Sequence, residues 1–539
     1  MTPGSIRGHS SESTESHEWS STNDDNSCVP EQQRKNDLMA SPDDRDPTEK
    51  RSIAAQLVDM ARDRYILGST DDGEPFGAAR AQPHIAMLLR GGRNGLRASL
   101  AAEYFADTRK VAGAQALTDA ALILEGVAST LPPERLHLRV AEYEGSIYLD
   151  TGRTDGKVIH ISNGHWTLTD TAPVRFLRTR LTDEMPLPPR GGNVADLWQF
   201  VNVTDEDQPV LLAALVAALV QYDVPHPVLG LFGEQGSAKS TTSRLLVDLI
   251  DPSPVPVRQA PRDPDSWVTA ASGSWVVALD NLSAIPHWLS DSICRAATGD
   301  GNVKRALYTD AGLAVVRFRR CVILNGIDVG AVRPDLAERL AVVDLKRINP
   351  KRRRPESQLS AEWHAARPLI WGGLLDLAAS VHGKLGSIEL ESNPRMADFA
   401  RVLAAVDATL GTQGLRRYLL RSDQLSEDSV SSNSFIDYLR RRSSRLNGMS
   451  GTEILSEATP PGDQWRRPKD WPRSGRDVTS ILRRHAPALR ALGWEVEDDG
   501  GHNHRNVVLW TIAPPEPPDR QCGVDSQASR PSLSTVEGG

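Results

Sequence analysis

The sequence predicts an α/β protein of several domains, built around a parallel sheet. Three observations carry that expectation. At 539 residues the chain is long enough for three or four domains of roughly 150 residues each. From about residue 190, short all-apolar runs alternate with stretches of helical spacing, the order of a parallel sheet with crossover helices. One of those runs, Val228–Phe232, leads straight into a glycine-containing loop and then an amphipathic helix.

The formal charge of −8 would alone count against an anionic partner, yet it resides in the chain ends. Residues 1–50 carry 5 Lys/Arg against 11 Asp/Glu and the tail from Ala513 carries 2 against 4, so the stretch between them is neutral. The longest apolar run, Val210–Val220, has 11 residues, short of the roughly 20 that span a bilayer, and reads as a buried core helix. No membrane association is expected, and the first residues lack the apolar core of a signal peptide. Cys28, Cys294, Cys321 and Cys522 show no metal-ligand spacing, as suits reduced thiols in a cytoplasmic protein.

Residues 1–51 and 513–539 are poor in large apolar side chains and are expected to be disordered. Residues 52–185 read as an α+β domain with no catalytic constellation. Helical spacing runs over Ile53–Tyr65, Pro83–Leu89, Leu96–Phe105 and Ala114–Val127, and period-two runs then flank Glu144-Gly145 and Asn163-Gly164, a hairpin signature. The Pro/Gly-rich Met185–Gly192 marks a boundary, and the core domain is expected over 193–422. A second linker is expected over Gln424–Ser434, and no internal repeat is present.

The strongest signal is Gly230–Thr241, G-L-F-G-E-Q-G-S-A-K-S-T. It matches the phosphate-binding (P-loop) pattern of Gly, four residues, Gly-Lys and Ser/Thr, except that Ala238 holds the last glycine position. Residues Gly233, Glu234, Gln235, Gly236, Ser237, Ala238, Lys239, Ser240 and Thr241 would wrap the phosphates with backbone N–H groups at a positive helix end. Lys239 would contact the β/γ-phosphates of ATP and the Ser240 hydroxyl would ligate Mg²⁺. Asp280 ends the apolar run S-W-V-V-A-L-D and is expected as the second Mg²⁺ ligand. The next residue is Asn281, where hydrolytic ATPases often carry a further acid. Either Glu234 supplies the base or turnover is slow.

Asn325 ends the run C-V-I-L-N and could reach the γ-phosphate or the attacking water. Arg333 and Arg339 follow, and either could act as a finger on a neighbouring subunit's nucleotide, with Arg339 slightly favoured.

Between Asp280 and Asn325 stands T-G-D-G-N-V-K-R-A-L-Y-T-D, Thr298–Asp310. Its G-D-x-x-x-x-R-x-L-Y pattern resembles the signature of superfamily 3 and related AAA+ helicases of phage and plasmid primase–helicase proteins. The likeness covers about residues 190–420 and is nearest to ATP-binding replication proteins of bacterial mobile elements. It implies an AAA+-like core and a homo-oligomeric ring, a hexamer, whose pore hairpin grips single-stranded DNA. Lys304 and Arg305 would be the gripping residues, since cations neutralise phosphates. Arg395 or Arg401 would be a further nucleotide sensor in the helical lid. The run Lys346–Arg354, six cations in nine positions, is either a solvated linker or a DNA-contacting arm.

Residues 435–490 hold 12 Lys/Arg against 6 Asp/Glu. A helix over Phe435–Leu446, a short helix, a third helix capped by Ser474 and stopped by Gly493, and two strands about Gly500-Gly501 make a winged helix over 435–512. Arg473, Arg476, Arg483 and Arg484 on or before the third helix, with Arg505 in the wing, would contact duplex DNA.

These expectations converge on an ATP-driven DNA motor of mobile-element replication. The rival is an ATP-controlled initiator, loader or defence switch that hydrolyses little. Asn281 favours the rival and the hairpin signature favours the motor. A metabolic kinase would need an acceptor site that the sequence does not display.

Overall fold

The computed structural model describes residues 51–90, 95–299, 301–305, 313–326, 332–431, 433–442, 444–460, 465–501 and 507–515. From Ala54 onward the described residues form one compact unit, which holds all the sheets described. The two expected disordered ends fall almost wholly outside the described residues.

This unit is a mixed α/β assembly of parallel and antiparallel sheets. The elements begin with α1 (Ile53–Arg64), β1 (Tyr65–Thr70), β2 (Pro75–Ala79), β3 (Ile85–Leu88), α2 (Leu96–Thr108), α3 (Ala114–Ser129), β4 (Pro133–Glu134) and β5 (Leu136–His137). Next come β6 (Val140–Tyr143), β7 (Ser146–Asp150), β8 (Val158–Ser162), β9 (His165–Thr169) and β10 (Arg175–Leu177). Strands β4-β1-β2-β3-β10-β5 form one mixed sheet and β6-β7-β8-β9 an antiparallel meander. The meander's turns are the two expected from sequence: Glu144-Gly145 and Asn163-Gly164 all take positive φ, the backbone twist that a two-residue hairpin requires. The expected helix at Pro83–Leu89 is instead β3, paired with both β2 and β10. A seven-residue apolar run is short enough to be either, and pairing on both edges decides for strand.

Helix α4 (Gln208–Val220) carries the apolar run, and eleven of its residues are buried. The central sheet takes β11 (Val228–Phe232), β12 (Val257–Arg258), β13 (Val276–Leu279), β16 (Cys321–Asn325) and β17 (Leu340–Asp344). All are parallel, in the order β12-β13-β16-β11-β17. Between them run α5 (Lys239–Ile250), α6 (Pro264–Ser272), α7 (His287–Thr298) and the short α8 (Pro334–Ala337). Strands β12 and β17 were not expected from the sequence. The hairpin strands β14 (Gly301–Arg305) and β15 (Leu313–Arg317) pair antiparallel, Lys304 opposite Ala314 and Arg305 opposite Leu313.

Helices α9 (Glu356–Lys384), α10 (Ala397–Leu410) and α11 (Gly414–Ser431) come next. The Met185–Gly192 stretch is tightly packed against α9: a Cβ on Gly192 would collide with the Leu369 carbonyl. The expected second linker is also corrected, because α11 runs on to Ser431 with Leu425 buried in the core. Last come α12 (Ser434–Arg440), β18 (Leu446–Ser450), α13 (Gly451–Ala458), α14 (Gly475–Ala491), β19 (Glu495–Asp498) and β20 (Leu509–Ala513), with strands in the order β18-β20-β19. The helix expected to reach Leu446 stops at Arg440, since Leu446 pairs with Ile512 as a strand. Ser474 does cap α14, in a reciprocal capping box with Asp477.

Candidate functional site

The loop between β11 and α5 is shaped by three residues of positive φ: Gly233 (151°), Gly236 (87°) and Ala238 (63°). A Cβ on Gly233 would stand 2.7 Å from both the Leu345 carbonyl and Ser237 Oγ, so only glycine fits. Ala238 holds the N-cap position of α5 in a left-handed conformation and provides no side-chain cap. The first-turn N–H groups of α5 therefore lack a capping side chain, a setting that favours an anion. The Ser237 hydroxyl is fully buried and has no hydrogen-bond partner. Lys239 Nζ donates to the carbonyls of Gly233 (2.7 Å) and Glu234 (3.1 Å), folding back over the loop.

Ser240 Oγ donates to Asp280 Oδ1 at 2.7 Å, so the two residues expected to hold Mg²⁺ lie side by side although 40 positions apart. Asp280 is set by the sheet: it follows β13, and its N–H donates to the Arg258 carbonyl. Asn325, at the end of β16, is buried and its amide is hydrogen-bonded at both ends. Its Oδ1 accepts from the Asn281 N–H (2.9 Å) and its Nδ2 donates to Ser243 Oγ (2.7 Å). Asn325 thus pins the turn after β13 to α5. Asn281 stands at φ 56°, a left-handed position that asparagine tolerates better than most residues. Glu234 is exposed, with Arg347 3.9 Å away.

Both candidate finger arginines are held within the chain. Arg339, the favoured one, is buried and bonds Asp335 Oδ1 at 2.6 Å, one helical turn earlier. Arg333 bonds Asp291 Oδ1 at 2.5 Å and lies beside α14. There the buried His485 is pushed down to about 4, first by burial and then by the Arg484 and Arg333 cations. Arg395 pairs with Asp335 and Glu338, and Arg401 donates to the Leu385 carbonyl. Neither lid arginine makes its bonds to the loop.

Arg473 and Arg476 at the start of α14 and Arg483 and Arg484 at its middle are all exposed, with Arg483 tethered to Asp498 at 3.2 Å. Lys304 and Arg305 lie on β14, opposite β15. Arg505 lies outside the described residues.

Comparison with known proteins gives two family matches. Residues 194–428 match the actinomycete integrative conjugative element replication protein, AICE RepA. Residues 435–528 match the AICE RepA C-terminal domain. The chain is a mobile-element replication protein with both RepA domains. Two apo structures of the C-terminal region of NrS-1 align at 12% identity. One covers 86% of this chain and 100% of its own with a TM-score of 0.35, and the other 85% and 98% with a TM-score of 0.36. Likeness that low bears on no activity. No curated protein matches the chain in sequence.

The first RepA match contains the whole Gly233–Thr241 loop, Asp280, Asn325 and both finger candidates, and the second contains the α14 arginines. One group near the RepA loop was not connected with it in the sequence: Arg353. A Cβ on Gly236 would lie 2.7 Å from its Nη2. The cation run was visible, but only the fold of residues 345–354 brings it back over the loop. Among the described residues no helix is long and apolar enough to cross a membrane.

Proposed function

We propose that this replication protein is an ATP-driven DNA motor with a P-loop core and a C-terminal winged helix. The observation that carries the reading is the 2.7 Å hydrogen bond from Ser240 to Asp280 at the mouth of the glycine loop. A hydroxyl and a carboxylate converging beside an uncapped helix start are the donor set of a Mg²⁺-nucleotide site. The loop's own features suit ATP: space for backbone approach at Gly233 and Gly236, the unpartnered Ser237 hydroxyl, and a lysine bound only to carbonyls.

Gly233–Thr241 would hold the phosphates, with Lys239 exchanging its carbonyl partners for phosphate oxygens. Ser240 and Asp280 would hold Mg²⁺, which when bound neutralises charge developing on the phosphates. The β14–β15 hairpin would grip single-stranded DNA through Lys304 and Arg305 in a homo-oligomeric ring, and the α14 arginines would contact duplex DNA. Within such a ring Arg333 is the better finger, because releasing it breaks an ion pair at the edge of α8 whereas Arg339 is buried.

The test is the ATPase rate with and without single-stranded DNA, for wild type and Lys239→Ala. Severalfold stimulation by DNA that disappears in the variant supports the motor. ATP binding without stimulated turnover favours the second reading, an ATP-dependent initiator, loader or switch. Asn281 is the observation behind that alternative, since its left-handed backbone and amide side chain place no second acid beside Asp280.

A further inference from the structure

The cation run Lys346–Arg354 forms an arm laid across the mouth of the glycine loop. The Lys346 N–H donates to the Asn202 carbonyl at 2.8 Å and the Ile348 N–H to the Gly236 carbonyl at 3.4 Å. A single 3₁₀ turn, Pro350–Arg352, capped by the Asn349 side chain, then reverses the chain. Arg354 anchors the far end: it donates to the Gln199 carbonyl, pairs with Glu362 at 2.5 Å and lies 5.4 Å over the Phe200 ring. The arm therefore joins the loop, the segment before α4 and the start of α9. Beneath it lies an open cleft of about 630 Å³ whose walls include Trp198, Phe200, Gly236, Ala238 and Thr241.

The charges on the arm are unevenly matched. Lys346 has Asp205 at 2.9 Å, Arg354 has Glu362, and Arg347 has only the distant Glu234. Arg352 and Arg353 form no ion pair among the described residues, yet both border the cleft, and Arg353 is the one against Gly236. An unpaired guanidinium beside uncapped helix N–H groups and a buried, unpartnered Ser237 hydroxyl concentrates positive potential at one point. A planar guanidinium suits the oxygens of a terminal phosphate.

We propose that this arm is a built-in clamp for a nucleoside triphosphate, with Arg353 the cis cation for its polyphosphate and the Trp198–Phe200 wall facing its base and sugar. The assignment rests on the nucleotide reading above and adds a residue and a ligand class to it. It is also compatible with Arg395 and Arg401 being bonded to Asp335, Glu338 and the Leu385 carbonyl, since the arm itself brings a cation to the loop. A nucleic-acid role is disfavoured because Arg353 lies against the loop's own glycine, where a DNA phosphate would compete with the nucleotide.

The experiment is equilibrium titration of the full chain with fluorescent ATP and ADP analogues in Mg²⁺, for wild type, Lys239→Ala, Arg353→Ala, Arg353→Lys and Lys351→Ala, each checked for an unchanged melting temperature. Arg353→Ala is expected to weaken the ATP analogue roughly tenfold, the scale of one charge-assisted hydrogen bond, and the ADP analogue less. Arg353→Lys should recover part of the loss, and Lys351→Ala, an equal change of charge on an exposed arm residue, should bind as wild type. If wild type binds and Lys239→Ala does not while Arg353→Ala is unchanged, the clamp is wrong and the nucleotide reading stands. Absence of binding by wild type overturns both. Loss of single-stranded DNA binding in Arg353→Ala with nucleotide affinity intact would make the arm a nucleic-acid contact and overturn the clamp.

Discussion

Ser240 and Asp280 meet through a 2.7 Å hydrogen bond that joins the first turn of α5 to the end of β13. Their separation in sequence is bridged by the sheet: β11 and β13 both flank β16, so the two strand ends open on the same edge. An Asp280→Asn variant keeps an oxygen that can accept from Ser240 but removes the charge a divalent cation needs. Nucleotide affinity in Mg²⁺ is expected to fall by at least tenfold, the equivalent of about 1.4 kcal/mol, while affinity measured in EDTA changes little. Equal losses with and without Mg²⁺ would remove Asp280 from the metal site.

Ala238 is the departure from the glycine pattern, and the structure makes it a conformational matter. At φ 63° and ψ 34° it is left-handed, which costs an L-residue about 1–2 kcal/mol. Glycine relieves that strain but adds about 0.5–1 kcal/mol of chain entropy on folding. Ala238→Gly is therefore expected to leave stability unchanged or raise it by about 1 kcal/mol, and Ala238→Val to lower it. Urea titration decides. A loss of about 1 kcal/mol for the glycine variant, as in an ordinary helix interior, would show that the left-handed geometry is not kept in solution.

Much of this site was legible because its residues lie where strands end. Lys239, Ser240 and Asp280 could be placed from an apolar run followed by a loop, and the Glu144-Gly145 and Asn163-Gly164 turns from local backbone preference. What escaped depends on distant partners. β17 is a run of five residues whose strand character comes from pairing with β11. The direction of Arg339 is decided by Asp335, and that of Arg353 by a reversal of the chain, so a cation count could locate them but not aim them.

Acid is expected to unfold the protein through its buried histidines. His226 is fully buried, neither ring nitrogen has a partner, and burial pulls its pKa down to about 3; His137 is pulled down to about 4, by burial first and then by Arg135. Between those values and 6.5 the unfolded chain binds protons that the folded chain does not. Their contribution is thus intact above pH 6.5 and lost as the pH falls toward 3–4, by about 1.4 kcal/mol per pH unit for each group. The His226 site is lined by Leu215, Ala218 and Leu229, and a leucine suits it. His226→Leu should melt higher than wild type at pH 5 and show a shallower dependence of stability on pH. An unchanged slope would mean that His226 is protonated or hydrated in the fold.

The N-terminal α+β region shares a hydrophobic core with the central sheet and is also tied to it by a buried ion pair, which gives a role to a segment without a catalytic pattern. Arg139, beside β6, bonds Asp251 Oδ1 at 2.8 Å, and both side chains are almost wholly inaccessible. Asp251 follows α5, and its other oxygen accepts from the N–H groups of Trp275 and Val276 at 2.9 Å, where β13 begins. Arg139 in turn donates to the carbonyls of Asp150, Asp183 and Pro252. Removing one partner leaves the other charge buried, a cost of about 3–5 kcal/mol. Asp251→Ala additionally strips two backbone donors at the head of the strand that ends at Asp280, so it should reduce nucleotide affinity as well as stability. Arg139→Met, which fills the space and leaves Asp251 its two N–H partners, should cost less and spare nucleotide binding. Melting curves together with nucleotide titration of both variants separate the two effects. Equal and small losses for both would show that the pair is hydrated and that the N-terminal region docks through its shared apolar core and its other hydrogen bonds.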